Sequence, residues 1–216
     1  MKIRLCLILL VGILVVGCKQ VTEERIVIIE TEYGTMEARL YNSTPGHRDN
    51  FVKLVKDKYY DDLLFHRVIQ GFMIQGGDPN SRNASPGQRL GSGGPGYTIP
   101  AEIGSPHFKG TLAAARTGGP SNPNKESSGS QFYIVHGGAQ TQQSLEVTGK
   151  QKGITYSPVH VEKYMNLGGT PMLDMEYTVF GELISGMEVI DKIAAVQTDP
   201  SDRPTEDVKM TIRMGN

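Results

Sequence analysis

The stretch of sequence that decides the fold runs from residue 65 to residue 78 and reads FHRVIQGFMIQGGD. Apolar and polar residues alternate through its first half, as they do in a β-strand that buries one face. Gly71 interrupts the alternation, which then resumes as far as the turn sequence GGDP at residues 76–79. The run therefore predicts two strands joined at Gly71. Arg67 and Gln75 lie among aromatic and sulfur-containing side chains, which is unusual for a pure core.

Two later segments also have the composition of strands and carry small or polar side chains. Residues 109–117 read KGTLAAART, where the small alanines allow a second backbone or a ligand to approach closely. Residues 127–135 read SSGSQFYIV, and in a strand the side chains of Gln131 and Tyr133 point to the same face. Each segment taken alone is also consistent with ordinary sheet core.

These three segments, in this order, resemble the pocket-forming strands of the cyclophilin peptidyl-prolyl cis-trans isomerases. The match at residues 65–78 is nearly letter for letter, and the sequence GGPGYTIPAE at residues 93–102 resembles a loop of bacterial cyclophilins. The resemblance covers most of residues 26–214. It implies an all-β fold, a closed eight-stranded antiparallel barrel with one α-helix over each open end.

The resemblance also implies an activity, peptidyl-prolyl cis-trans isomerisation, which needs neither a cofactor nor a metal ion. Arg67 would polarise the twisted amide, and Gln75 would orient Arg67 or hold the substrate backbone. Phe72, the third residue assigned to catalysis, would help to form the slot for the proline ring. The substrate-binding residues that the family pattern implies are Met73, Ala115, Gln131, Tyr133, Met172, Leu173 and Tyr177. The expected partners are proline-containing segments of client proteins.

Three of these positions depart from the common family pattern. Tyr133 replaces a phenylalanine of the slot, and its added hydroxyl would either narrow the slot or bond to a new partner. Tyr177 replaces a histidine at the groove edge, and Met172 replaces a tryptophan found in many eukaryotic members. Because the residues of the 65–78 run are intact, we expect activity to be retained. That tryptophan is important for cyclosporin binding, so sensitivity to cyclosporin should be poor.

Composition argues against several other classes of function. The formal net charge is −1, which indicates neither nucleic-acid binding nor a basic membrane-binding face. The five histidines show no HExxH or comparable metal-ligand spacing, and the sequence holds no G-x-S-x-G motif for a serine nucleophile. We therefore expect no metal site and no hydrolase. The glycine-rich residues 80–96 lack a phosphate-binding motif, and we interpret them as a surface loop.

The first 25 residues have the pattern of a bacterial lipoprotein leader. Lys2 and Arg4 precede an apolar stretch of about a dozen residues, too short to span a bilayer. The sequence VVGC at residues 15–18 resembles a lipobox, which implies a signal peptide at 1–17, a lipidated Cys18 and a tether at 18–25. A plain secretory signal and an uncleaved anchor remain alternatives. The lipid would hold the protein at a membrane of the bacterial cell envelope.

Residues 26–216 form the predicted isomerase domain, which we expect to be a monomer. The pattern predicts a hairpin at 26–41, a helix capped by Thr44 with Pro45 at its first position, and a later helix opened by a capping box at 185–188. Residues 137–170 are an insertion relative to typical cyclophilins and contain one predicted short helix that ends at Gly168-Gly169. The insertion is either a passive decoration or a wall that extends the substrate groove.

A second function from another class fits the same sequence. The insertion, the three altered pocket positions and the tether are also consistent with a cyclophilin-fold binding module or chaperone with little or no turnover. No residue required to polarise the amide is missing, and this favours the isomerase.

Overall fold

The computed structural model describes residues 24–215. This part of the chain contains eleven β-strands and four α-helices. The strands are β1 (Arg25–Thr31), β2 (Gly34–Leu40), β3 (Leu63–Leu64), β4 (Arg67–Ile69), β5 (Met73–Gly76), β6 (Thr98–Ile99), β7 (Thr111–Ala114), β8 (Ser127–Ser128), β9 (Phe132–Val135), β10 (Val179–Ser185) and β11 (Lys209–Met214). The helices are α1 (Pro45–Lys56), α2 (Gln142–Lys152), α3 (Pro158–Asn166) and α4 (Met187–Ala194). The predicted signal peptide, Cys18 and nearly all of the tether lie outside the described residues.

Nine strands form one antiparallel sheet in the order β3-β11-β1-β2-β10-β7-β9-β5-β4, and β6 pairs with β8 in a small second sheet. The two edge strands of the large sheet, β3 and β4, are separated in sequence only by Phe65 and His66. Two intervening residues let the ends of these strands lie at most about 11 Å apart. The sheet therefore curls round until its edges are close, and Phe65 is fully buried inside it.

The closed eight-stranded barrel that the resemblance implied does not form in the described residues. The amide of Phe65 donates to the carbonyl of Val208 at 2.9 Å, and that of Val68 donates to the carbonyl of Asp202 at 2.8 Å. The chain between these two acceptors forms no strand and consists of bends, irregular residues and one isolated bridge residue, Pro204. Residues 63–69 consequently pair as two separate strands, one with β11 and one with β5. The covalent chain between β3 and β4, and not a ladder of hydrogen bonds, joins the two edges.

Side chains on the two faces of the sheet pack into different clusters. One row of directly opposed residues on β4, β5, β9 and β7 lies in the main core: Val68, Ile74, Ile134 and Leu112. The positions that alternate with this row contribute to a second cluster on the outer face, which contains Met73, Ala113, Ala115, Tyr133, Val135 and Val179. The period of two therefore gives the sheet one face for the core and another for the predicted site.

The two helices predicted outside the insertion both pack against the main core. The side chains that α1 contributes are Phe51, Leu54 and Val55, and those from α4 are Val189, Ile190, Ile193 and Ala194. The fold therefore contains the expected covering helices and two more, α2 and α3. No helix within residues 24–215 combines the length and the apolar composition that a bilayer-spanning segment needs.

The insertion folds into two helices, whereas the sequence predicted one. The predicted helix corresponds to α3, and Gly168 follows it with a φ of +94°, as expected of a glycine that ends a helix. The additional helix, α2, buries only Leu145 and Gly149, so its sequence lacks the apolar period that would predict it. Leu145 packs with Phe108 and Tyr164 in a small third cluster.

The carboxylate of Glu102 caps α1, although the sequence indicated Thr44 for this role. Pro45 stands at the first helical position as predicted, but the Thr44 side chain makes no capping hydrogen bond. Glu102 accepts instead from the amides of Gly46 at 3.0 Å and His47 at 2.9 Å. A carboxylate at this end also complements the positive end of the helix dipole.

The capping box predicted at residues 185–188 is also wrong. Ser185 still belongs to β10, so α4 begins after Gly186, which has a φ of +83° and no side chain to offer. A capping box does open α2, where the side chains of Thr141 and Ser144 each accept from the other residue's amide, at 3.0 and 3.1 Å.

Removing the charge of Glu102 should destabilise the fold more than removing the hydroxyl of Thr44. We expect Glu102→Gln to lower the free energy of unfolding by about 2 kcal/mol, because it weakens charge-assisted bonds to two backbone amides. Thr44→Val should cost less than half as much, since its hydroxyl caps nothing. Urea unfolding followed by circular dichroism measures both values. An equal or larger cost for Thr44→Val would contradict this assignment.

Candidate active site

Strand register brings the polar and aromatic residues of the predicted site into one row. Arg67 on β4 lies opposite Gln75 on β5, Gln75 lies opposite Tyr133 on β9, and Tyr133 lies opposite Ala113 on β7. Directly opposed residues of antiparallel strands share a face of the sheet. The guanidinium, the amide and the aromatic ring therefore all belong to the outer face.

Six of the predicted residues meet in the apolar cluster beside this row. Met73, Ala115 and Tyr133 are buried there, and the partly buried residues packed against them include Phe72, Leu173 and Tyr177. Leu173 ends the short 3₁₀ turn Pro171–Leu173, which follows the insertion. Met172 lies in the same turn but is 64% exposed and outside the cluster, so its binding role stays a prediction.

Arg67 is held at one nitrogen and is accessible at the outer face. Its Nε donates to Oδ2 of Asp202 at 3.2 Å, and both side chains are about two-fifths exposed. Ion pairs with this exposure add little to stability, so the consequence of the contact is orientation. Within residues 24–215 the structure records no hydrogen bond to the two terminal nitrogens of Arg67. Sequence reasoning missed Asp202, because it lies 135 positions away in an irregular loop.

The residue before Arg67 adds no second charge to the site. His66 is only 4% exposed, and this burial lowers the pKa of its imidazole to about 4. The ring is therefore neutral at neutral pH, and the guanidinium of Arg67 acts without a neighbouring imidazolium.

A hydrogen-bond chain links Gln75 to the glycine-rich loop. Gln75 Nε2 donates to Oε1 of Gln131 at 3.0 Å, and Gln131 Nε2 donates to the carbonyls of Gly91 at 3.0 Å and Gly93 at 2.7 Å. The same two glycines donate their amides to the buried carboxylate of Asp78. The loop is thus fixed beside the site, where it walls a surface groove of about 1050 Å³ that Gln75 and Gln131 also line.

The turn that presents Phe72 is tied to β9. Gly71 has a φ of +76°, which glycine adopts without strain, and its amide donates to Nδ1 of His136 at 2.8 Å. The amide of His136 donates in turn to the carbonyl of Phe72 at 3.0 Å. The glycine break seen in the sequence therefore sets the position of Phe72 at the margin of the apolar cluster.

The hydroxyl of Tyr133 bonds to a new partner, His107. Tyr133 is 4% exposed, and its oxygen lies 3.0 Å from Nε2 of His107. Nδ1 of His107 lies 2.9 Å from Oδ1 of Asp174. Burial lowers the pKa of His107 and raises that of the Tyr133 phenol well above its usual value, so both groups are neutral. Neither His107 nor Asp174 carries a local sequence signal that would have identified it.

Tyr177 closes the cluster at its edge and is itself held by a cation. The guanidinium carbon of Arg116 lies 4.7 Å from the centroid of the Tyr177 ring, and Nη2 of Arg116 pairs with Glu176 at 3.1 Å. The Tyr177 ring meets that of Tyr133 edge to face at 5.8 Å. Such aromatic and cation–π contacts hold the Tyr177 ring at the edge of the apolar cluster.

The row and the cluster beside it combine the guanidinium of Arg67 and the carboxamide of Gln75 with apolar and aromatic side chains. Within residues 24–215 no group of three histidine, cysteine, aspartate or glutamate side chains is placed to hold a metal ion. A second hollow, of about 620 Å³, lies against α2 and the segment after it, and none of the predicted site residues lines it.

Comparisons with known proteins identify the family that this chain resembles. The family model described as cyclophilin type peptidyl-prolyl cis-trans isomerase/CLD matches residues 26–213. A Staphylococcus aureus protein named for peptidyl-prolyl cis-trans isomerase activity is 36% identical over 183 residues, which cover 84% of this chain and 87% of that protein. A Streptococcus pyogenes protein named as a bifunctional phosphatase/peptidyl-prolyl cis-trans isomerase is 36% identical over 192 residues, or 37% of its length.

Two solved structures of a Cryptosporidium parvum cyclophilin type peptidyl-prolyl cis-trans isomerase are also similar. The first has a TM-score of 0.63 and 27% sequence identity, and the match covers 90% of this chain and 99% of that one. The second was determined in the presence of the dipeptide Ala-Pro and has a TM-score of 0.61, with 27% identity over 88% of this chain.

The protein should lose stability as the pH falls below about 6.5, because His66 resists protonation in the folded state. An unfolded histidine takes up its proton near pH 6.5, so the unfolded state binds more protons between pH 6.5 and about 4 and is favoured there. From pH 7 to pH 5 the contribution of His66 amounts to about 2 kcal/mol. Urea unfolding at the two pH values measures the loss. His66→Gln should reduce it by that amount, and an unchanged loss would contradict the assignment.

Proposed function

Because the chain belongs to the family of cyclophilin-type peptidyl-prolyl cis-trans isomerases, we propose that Arg67 is the residue through which it accelerates rotation about X-Pro bonds in client polypeptides. The observation that carries this proposal is the position of Arg67. It lies in register with Gln75 and Tyr133 beside an apolar cluster, and its Nε is fixed by Asp202. The Ala-Pro dipeptide used with the Cryptosporidium structure supports a proline-containing substrate.

Rotation of an X-Pro bond is slow because the amide must lose its resonance. The barrier is about 18–20 kcal/mol, and no covalent bond has to form or break. In the twisted state the proline nitrogen regains its lone pair and can accept a hydrogen bond. A catalyst must therefore bind this twisted state more tightly than either planar form.

A guanidinium next to the proline ring meets that requirement. The two terminal nitrogens of Arg67 would donate to the twisted amide, where the lone pair makes the hydrogen bond stronger than in the planar forms. Asp202 would keep the two terminal nitrogens of the Arg67 guanidinium directed at the substrate. Gln75, paired with Arg67 across the strands, would hold the substrate backbone in register.

The apolar cluster supplies the complementary surface for the ring. Phe72, Met73, Leu173 and Tyr133 would enclose the proline, while Ala115 and Gln131 would lie beside the preceding residue. A rate gain of ~10⁵ requires about 7 kcal/mol of transition-state stabilisation. One charge-assisted hydrogen bond together with positioning and exclusion of water is sufficient for this amount.

Replacing Arg67 by alanine should abolish most of the activity without unfolding the protein. We expect kcat/KM for an Ala-Pro peptide to fall by at least about 100-fold, measured by exchange NMR with the full chain in detergent. Arg213→Ala is a matched control, because Arg213 also lies on a strand and pairs through Nε with one carboxylate, that of Glu30 at 2.8 Å. Its activity should stay within twofold of the unaltered protein.

The result also separates the isomerase from a binding module. If the unaltered protein is folded and binds the peptide but exchanges it no faster than buffer does, the proposed role of Arg67 is contradicted. A binding module or chaperone would then be favoured. Equal losses in Arg67→Ala and Arg213→Ala would mean that the charge acts at a distance and not in the slot.

We further propose that the isomerase works in the bacterial cell envelope, held at a membrane by a lipid on Cys18. The lipobox-like sequence at residues 15–18 and the charged, apolar leader before it support this proposal. The clients would be secreted or envelope proteins whose X-Pro bonds must equilibrate after export. That the domain works as a monomer and binds no nucleic acid remains a prediction.

Cys18→Ser should release the protein from the membrane fraction of a bacterial host. Labelled palmitate should enter the unaltered protein and be absent from this variant, because the thiol that would carry the lipid is gone. Cys6→Ser is the matched control, since Cys6 lies in the leader that would be removed. Labelling that persists in Cys18→Ser, or that disappears in Cys6→Ser, would contradict the proposed lipidation site.

A further inference from the structure

A buried chain of hydrogen bonds runs from the slot to the insertion. Tyr133 contacts Nε2 of His107, and Nδ1 of His107 contacts Oδ1 of Asp174. The other carboxylate oxygen of Asp174 accepts from the hydroxyls of Tyr156 at 2.8 Å and Tyr164 at 2.7 Å. Tyr156 and Tyr164 belong to the insertion, whereas Tyr133 lies on the central sheet.

The surroundings of Asp174 determine where the protons lie. Besides the two tyrosine hydroxyls, the amide of His107 donates to Oδ1 at 2.8 Å, and it also lies 3.0 Å from the hydroxyl of Tyr164. Three donors, the two tyrosine hydroxyls and the amide of His107, thus converge on one buried carboxylate, which can only accept, and Nδ1 of His107 lies 2.9 Å from its Oδ1. Nδ1 of His107 must then carry the proton. Because burial keeps the imidazole neutral, Nε2 has a lone pair, and the hydroxyl of Tyr133 donates to it.

This donation holds the Tyr133 ring in one orientation. The rings of His107 and Tyr133 are nearly parallel, with an interplanar angle of 12° and centroids 6.1 Å apart. Tyr177 contacts the Tyr133 ring at a steep angle. With its only hydroxyl proton engaged by His107, Tyr133 presents an apolar surface to the slot despite the polar group that it carries.

We propose that His107 and Asp174 are positioning residues that orient Tyr133 as a wall of the proline slot, and that the insertion completes this device through Tyr156 and Tyr164. The inference rests on the proposed function, in which Tyr133 contacts the proline ring. It gives the insertion a role as a support behind the slot, in place of a passive decoration. A phenylalanine at position 133 would leave Nε2 of the buried His107 without its donor. The hydrogen bonds that run through His107 and Asp174 therefore join Tyr133 and the insertion into one unit.

A double-mutant cycle between Tyr133→Phe and His107→Phe tests this unit in the full chain. In the unaltered background we expect His107→Phe to raise KM for an Ala-Pro peptide about tenfold and to change kcat less than threefold, because binding loses an oriented wall. In the Tyr133→Phe background, the same substitution should change KM less than twofold, since there is no hydroxyl left to hold. Additive effects on KM would overturn the inference.

Tyr60→Phe is the matched control for loss of a buried tyrosine hydroxyl. Tyr60 is 1% exposed, and its hydroxyl donates to the carbonyl of Ser130 at 3.2 Å, outside the chain of bonds described here. It should lower thermal stability without changing KM more than twofold. A rise in KM equal to that of His107→Phe would show that general loosening, and not orientation of Tyr133, is responsible.

Tyr164→Phe tests the contribution of the insertion. It also tests the proposed orientation of Tyr133 if the His107→Phe variant does not fold. It removes one donor to Asp174 together with an acceptor for the amide of His107. We expect ¹⁵N NMR to find His107 protonated at Nδ1 and not at Nε2 in the unaltered chain. In Tyr164→Phe the ring resonances of Tyr133 should shift, and KM should rise at least about threefold. Unmoved resonances with an unchanged KM would overturn the proposal.

Failure of the proposed function has a different signature. If the unaltered protein binds the Ala-Pro peptide but does not accelerate its exchange, that result contradicts the isomerase activity and leaves the binding slot intact. The dissociation constant from NMR titration then takes the place of KM in the same cycle, with the same expected pattern. A chain that binds no such peptide at any concentration would overturn both.

Discussion

The alternation of side chains across four antiparallel strands is the constraint on which the rest of this structure depends. On β4, β5, β9 and β7, one set of opposed residues enters the main core while the other set forms the outer face. A slip of one residue in any of these strands would exchange the two sets. The core that stabilises the sheet therefore also fixes the register of Arg67, Gln75 and Tyr133.

The outer face places an apolar cluster next to a charged side chain, an arrangement that is uncommon on the surface of a stable domain. A partly exposed apolar cluster lies beside a charged side chain, and burying such a cluster would normally be favourable. Leu173, at the end of the 3₁₀ turn, and the edge residue Tyr177 pack against it and are themselves only partly buried. Part of the apolar surface at the margin of the cluster therefore remains accessible.

Several elements followed from the sequence because their signals are local. The strands on either side of Gly71, the proline at the start of α1 and the glycine after α3 depend on a few adjacent residues. The errors arose where a distant contact overrode the local signal. Glu102, and not Thr44, caps α1, while Ser185 continues β10 instead of opening α4. The prediction of a closed barrel was wrong for the same kind of reason, because the segment at residues 202–207, which faces β4, forms no strand.

The sequence by itself determined which residue types stand on the site face, since strand periodicity and the family resemblance both concern neighbouring positions. It could not supply the partners that orient those residues. Arg67 meets Asp202 from 135 positions away, and Tyr133 meets His107 from 26 positions away. Such pairs leave no periodic trace, because each forms only when the sheet has curled and the loops have packed. Tertiary structure alone therefore decided how the guanidinium and the slot wall are held.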